Sequence, residues 1–181
     1  MRRAAASAIV AFVLSACAHQ PPLPTADSFD LDRFYGRWYI VARIPYFLEH
    51  RHVGCYEDFV PLPNGDIADH YVAQRENFFG SQVRYTGRYR VKPGGNNARM
   101  SFIPIRPFAF PVSISYVDSS YSYFMLTYAS RSLGWIYAKE PSLPEGDYRA
   151  LLHRLELAGY DPSRFRKVPQ RPEEVGAPGY E

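Results

Sequence analysis

The sequence predicts an all-β fold: eight short antiparallel strands followed by one amphipathic helix. Three observations predict it. Aromatics make up 16% of the chain, with 15 Tyr and 12 Phe, and such residues favour pleated, half-buried surfaces. Turn signals recur between short apolar runs, the pattern of a sandwich or barrel. Val83, Tyr85, Gly87, Tyr89 and Val91 alternate with Arg84, Thr86, Arg88 and Arg90, which gives one apolar and one polar face at period two.

The strands follow in order. Tyr35 to Ile44 is the first, ended by Pro45, and Tyr46 to Val53 is a long loop. Cys55 to Leu62 and Ile67 to Gln74 flank Pro63-Asn64-Gly65-Asp66, and Asn-Gly is the strongest short hairpin signal. Val83 to Val91 leads through Lys92-Pro93-Gly94-Gly95 to Arg99–Ile105. A bend through Pro104, Pro107 and Pro111 precedes Val112–Val117, Tyr121–Ala129 and Leu133–Ala138. Ser142 and Glu145 then fit a capping box. Tyr148, Leu151, Leu152 and Leu155 fall on one helical face, Gly159 is placed for a C-terminal cap, and Phe165 to Val168 is a further short strand. Eight such strands can close into a barrel, which removes sheet edges. Its interior holds side chains or one small ligand. A filled barrel, a sandwich and a ligand-holding cup all remain open at this level.

The N-terminus is a targeting segment. Arg2 and Arg3 precede a mainly apolar run, Ala4 to Ala16, shorter than the roughly 20 residues that span a bilayer. It ends in Val13-Leu14-Ser15-Ala16-Cys17, which resembles the lipobox of bacterial lipoproteins. That resemblance implies cleavage before Cys17 and acylation of its thiol, and several acyl chains anchor stably. Residue 18 is Ala rather than Asp, and for that reason the resemblance implies the outer membrane, with the domain expected on the periplasmic side. The expected organisation is a signal peptide (1–16), an acylated Pro-rich tether (17–28), one domain (29–170) and a disordered Pro- and Glu-rich tail (171–181).

Charge and motifs narrow the function. Of the formal net charge of +3, Arg2 and Arg3 supply two, so the domain is nearly neutral and nucleic acid is not an expected partner. Cys55 with His50, His52, Glu49 and Glu57 nearby offers a Cys–His nucleophile; a solvated basic loop around Arg51 accounts for the same residues. His50, His52 and His70 are too scattered for a metal motif. No cofactor is implied.

Asp30-Leu31-Asp32-Arg33-Phe34-Tyr35-Gly36-Arg37-Trp38-Tyr39 followed by Ala42-Arg43 resembles the first lipocalin motif. Asp118-Ser119-Ser120-Tyr121 resembles the second in its bacterial form, and Trp135-Ile136-Tyr137-Ala138-Lys139-Glu140-Pro141 the third. Gly159-Tyr160-Asp161-Pro162-Ser163-Arg164-Phe165 also matches the bacterial subfamily. The resemblance runs from about residue 29 to 170. It implies an up-and-down eight-stranded barrel with the helix packed outside, Gly36 and Trp38 opening the first strand, and Trp38 sealing the closed end. Lys139 stands where the family usually has Arg, so a looser closed end is expected, because Lys offers cation–π contact without the planar fork.

By parity from Trp38 and Lys139, the inward residues are Ile40, Ala42, Trp135 and Tyr137, with Tyr85, Tyr89 and Phe102 as further candidates. An aromatic pocket with hydroxyl handles suits an acyl chain, or the rings simply fill the barrel. The resemblance implies a non-enzymatic protein that binds a fatty acid, lysophospholipid or similar ligand, in storage, transport or envelope maintenance under stress. A homodimer is left open. Tyr46-Phe47-Leu48 and Phe108-Ala109-Phe110 are expected to flank the mouth, gate it or touch the membrane.

Overall fold

A computed structural model describes residues 22–181; the leader 1–16 and Cys17 lie outside the described residues. Asp30 caps the short helix α1 (Leu31–Phe34) by accepting from the Asp32 N–H at 3.0 Å. Gly36 follows with φ +96, a conformation that strains any residue with a Cβ, and it turns the chain into β1 (Gly36–Arg43). The other strands are β2 (His52–Pro61), β3 (Ile67–Arg75), β4 (Gln82–Val91), β5 (Arg99–Phe102), β6 (Phe110–Val117), β7 (Tyr123–Tyr128) and β8 (Gly134–Ala138). The loop expected to run to Val53 ends earlier, because β2 already begins at His52. β5 is shorter than expected: Pro104 and Pro107 follow it, and proline removes a ladder donor.

Each strand pairs antiparallel with the next, and β1 pairs with both β2 and β8, which closes the barrel. The β1–β2 pairing covers Gly36–Tyr39 only. Above it, β9 (Arg166–Lys167) pairs with Ala42 and Arg43. Gln170 Nε2 donates to the carbonyls of Ile40 and Cys55 at 2.8 and 3.0 Å, and the Gly54 N–H donates to Pro169 O at 2.8 Å. The chain after the helix therefore sews up the seam that β1 and β2 leave open.

Residues 171–181, expected as a disordered tail, continue this arrangement. They form a 3₁₀ turn at Pro172–Glu174, and Lys167 exchanges backbone hydrogen bonds with Gly179 and Glu181, both 3.0 Å. The tether is likewise partly docked: the Ala26 N–H donates to Ile114 O at 2.9 Å.

The helix α2 (Glu145–Leu157) packs Tyr148, Leu151 and Leu155 onto the outer faces of β1, β7 and β8, against Val41, Ala42, Met125, Ile136 and Ala138. The expected capping box does not form. Pro144 takes the cap position, so Ser142 sits too early to reach the helix, and Glu145 instead accepts from Lys167 Nζ at 2.6 Å. At the other end Gly159 caps as expected, its N–H donating to Glu156 O and that of Tyr160 to Leu155 O.

Candidate functional site

The closed end of the barrel is a plug of rings. Phe34, Trp38, Phe59 and Phe124 are buried; Trp38 meets Phe124 edge-on at 4.7 Å, and Phe124 stacks on Tyr137 at 4.5 Å. Trp38 Nε1 donates to Phe34 O at 2.6 Å, so its one polar atom is satisfied. Lys139 Nζ lies 3.8 Å from the Trp38 ring centroid and 3.4 Å from the carbonyls of Tyr35 and Arg37. Its burial lowers its pKa. Asp118 organises the β6–β7 turn by accepting from the backbone N–H groups of Ser120, Ser122 and Tyr123. Tyr121 Oη accepts from the Asp30 N–H at 2.7 Å, tying that turn to α1. Gly36, Trp38, Asp118, Tyr121 and Lys139 thus lie together at the closed end.

Nearer the mouth the interior becomes polar. In β1, Ile40 pairs with Tyr137 but Ala42 pairs with Ile136, so Val41 is an extra, bulged residue. A bulge inverts the period-two alternation beyond it. Ala42, expected inside, therefore lies on the outer face beneath α2, and Arg43 turns inward with its partner Trp135. Fully buried, Arg43 bonds Glu49 at 2.9 Å and both carboxylate oxygens of Glu181 at 2.7 and 2.8 Å, and lies 3.5 Å from Cys55 Sγ. Glu49 also accepts from Trp135 Nε1 at 3.1 Å and Tyr46 Oη at 2.9 Å.

Between plug and mouth lie two buried carboxyl groups. Glu57 on β2 and Asp69 on β3 are 5% and 3% exposed. Tyr137 Oη donates to Glu57 Oε2 at 2.9 Å. Asp69 Oδ1 has no hydrogen-bond partner. Burial first, and then the neighbouring acidic charges, push both carboxyl groups well up from the usual carboxylate range. Across from Asp69 on β4 is Gly87, where a Cβ would meet the Phe102 ring at 2.4 Å; the missing side chain is what lets Phe102 lie there.

Ile40, Tyr89, Trp135 and Tyr137 are placed in the barrel interior, and Phe102 packs on Tyr89 at 4.9 Å. Tyr85 stacks on the interior residue Tyr71 at 5.7 Å yet is 44% exposed. β5 pairs with β4 only at Tyr89–Val91, with two further backbone bonds between Arg88 and Ile103, so Tyr85 sits where β4 runs on past β5. Sequence reasoning missed Arg43, Glu57, Asp69, Tyr71 and Glu181 as interior groups. The alternation Cys55, Glu57, Phe59 and Ile67, Asp69, Tyr71 carries the signal for the acidic pair.

The thiol of Cys55 is buried, 3.3 Å from Tyr71 Oη, which lies 2.9 Å from His52 Nδ1. Burial pushes the thiol up to about 11, so at neutral pH it stays protonated, the opposite of an activated nucleophile. His70 lies on the outer face of β3 beside Thr86, away from His50 and His52 at the mouth. Among the described residues no three His, Cys, Asp or Glu side chains group as a metal site.

The strands build a closed up-and-down barrel with a ring-plugged end and a helix packed outside. The chain belongs to the lipocalin-like family, whose model matches residues 29–170; its members bind small hydrophobic ligands in the barrel and are generally not enzymes. It is 27% identical over 150 residues to temperature-induced lipocalin-1 of Arabidopsis thaliana, covering 78% of this chain and 79% of the relative. Among solved structures, insecticyanin from the tobacco hornworm Manduca sexta superposes with a TM-score of 0.65 at 15% identity, covering 86% of this chain and 88% of that one. The cockroach allergen Per a 4 gives 0.63 at 19% identity, covering 82% and 92%. These two show the fold.

Proposed function

We propose that this chain is a membrane-anchored carrier that holds a single-chain amphipathic lipid, of the class of fatty acids and lysophospholipids, in its barrel. In this reading Cys17 is acylated, the anchor lies in a bacterial outer membrane, and the barrel serves envelope maintenance from the periplasmic side.

The observation that carries the reading is the character of the end opposite the ring plug. Phe47 and Phe79 are 86% and 95% exposed, and Leu48, Ile105, Phe108 and Phe110 are exposed beside them. Phe47 and Leu48 come from the β1–β2 connection, Phe79 from β3–β4, Ile105 and Phe108 from β5–β6, and Phe110 opens β6. Scattered exposed apolar residues need no explanation, but a concentration marks an interaction site. Basic residues stand among them: Arg75, Arg106 and Arg51, the last paired with Glu76 at 3.5 Å. Apolar tips with interleaved positive charge suit a lipid–water interface, and a mouth pressed to that interface receives a lipid without passing it through water.

Delipidated protein titrated with a fluorescent fatty acid tests this. Saturable binding is expected, weakened when Phe108→Ser and Phe110→Ser are combined, and Cys17→Ala should release the protein from the membrane fraction. Absence of saturable binding would overturn the carrier reading, and retention of Cys17→Ala in membranes would overturn the anchor.

A further inference from the structure

We propose that the carboxyl pair Glu57 and Asp69 is a recognition subsite inside the barrel for a ligand whose buried end is a primary ammonium. The proposal rests on the reading of the barrel as a carrier of single-chain amphiphiles; members without an ammonium, fatty acids among them, are held without this subsite.

Asp69 Oδ1 is a buried acceptor with nothing donating to it. Such an atom has lost its water without gaining a donor, and native interiors rarely leave one so. Glu57 has one oxygen engaged by Tyr137 Oη and shares a side-chain hydrogen bond with Asp69, so Asp69 Oδ1 is the acceptor left over. Neither carboxyl group has a salt-bridge partner among the described residues. The interior guanidinium, Arg43, is taken up by Glu49 and Glu181, and Lys139 is taken up at the closed end by Trp38.

An ammonium supplies what this place lacks. Its three N–H groups match Asp69 Oδ1 and the Glu57 carboxyl, and its charge favours the ionised form of a pair that burial otherwise keeps protonated. Tyr89 and Phe102, in contact at 4.9 Å, border Asp69 across Gly87 and offer ring faces to a cation. A carboxylate at the same depth would be a third acid without a donor. Phe102, at the end of the short β5 and only partly buried, is the side chain that yields to the incoming head. The alkyl chain then runs past Ile40 and Trp135 towards the mouth.

The test is competition of dodecylamine, dodecanoic acid and 1-dodecanol against a bound fluorescent fatty probe, on the purified full-length chain and on Asp69→Asn and Glu57→Gln. The amine is expected to displace the probe at a concentration lower by at least about tenfold, the scale of one charge-assisted hydrogen bond. That preference should shrink towards parity in both variants, whose folding is checked by thermal unfolding. Equal displacement by the three compounds, preference for the acid, or a preference for the amine that survives in both variants overturns the subsite and leaves the carrier reading standing. Failure of the wild-type chain to bind the probe at all overturns both.

Discussion

The two halves of this barrel bury different things. The closed end buries rings, and the polar atoms of Trp38, Tyr121 and Lys139 all meet partners there. The half towards the mouth buries Arg43, Glu49, Glu57, Asp69 and Glu181 within the same closed sheet. Removing an apolar ring from close packing loses both transfer energy and contacts. Burying charge costs desolvation that pairing only partly returns. The closed end is therefore the stabilising half, and the polar half is held in place by it. Truncating the plug should give the largest effect. Trp38→Ala removes a fully buried indole and should cost about 3–5 kcal/mol of unfolding free energy, read from the midpoint of chemical denaturation. A loss below about 1 kcal/mol, the range of ordinary surface changes, would mean that the plug does not carry the fold.

The polar half should respond in the opposite direction. Asp69 has its folded pKa raised above the usual carboxylate range, first by burial and then by Glu49. A raised folded pKa means that the folded state binds the proton more tightly than the unfolded chain. The stability this contributes is full below the unfolded pKa and is lost as pH rises through the folded one. Asp69→Asn, which cannot ionise, should match the wild type near pH 4 and exceed it at neutral and alkaline pH by about 1–3 kcal/mol. Thermal unfolding across pH 4 to 9 reads this out. A variant less stable than wild type at every pH would place Asp69 among the stabilising groups and erase the contrast between the halves.

The same division decides what the sequence discloses. Strands of period two with Asn-Gly and Pro-Gly turns between them are local signals, and the observed strands follow them closely. The closed end is local too, since Gly36 and Trp38 are two residues apart and Lys139 directly follows the strand that carries Trp135 to Ala138. The polar half depends on a single bulge at Val41, which nothing in Tyr39-Ile40-Val41-Ala42-Arg43 announces, and that bulge exchanges Ala42 for Arg43 inside. Glu57 and Asp69 were legible by parity from Phe59 and Ile67, but the habit of placing acids in solvent hid them. The tail is the least legible part. Residues 171–181 have the composition of a disordered segment, and their place is set by Glu181 meeting Arg43, 138 positions away in the chain. A contact at that separation leaves no periodic trace.

The smallest expected effect sharpens the closed end itself. Lys139 replaces the arginine usual in the family, and its ammonium sits over the Trp38 ring while pointing at two carbonyls 3.4 Å away. These are long hydrogen bonds, and burial lowers the pKa of the ammonium. A cation on a ring contributes about 0.5–1 kcal/mol at partly exposed sites. Lys139→Ala should therefore cost about that much, well below Trp38→Ala. Lys139→Arg should match or exceed the wild type, because a planar guanidinium stacks on the ring and presents several donors to the carbonyls of Tyr35 and Arg37. Denaturation midpoints of the three proteins at neutral pH give the order. If Lys139→Ala is as damaging as Trp38→Ala, the cation rather than the aromatic packing seals the barrel. If Lys139→Arg falls below the wild type, the closed end is shaped for lysine and is not a loosened version of the family arrangement.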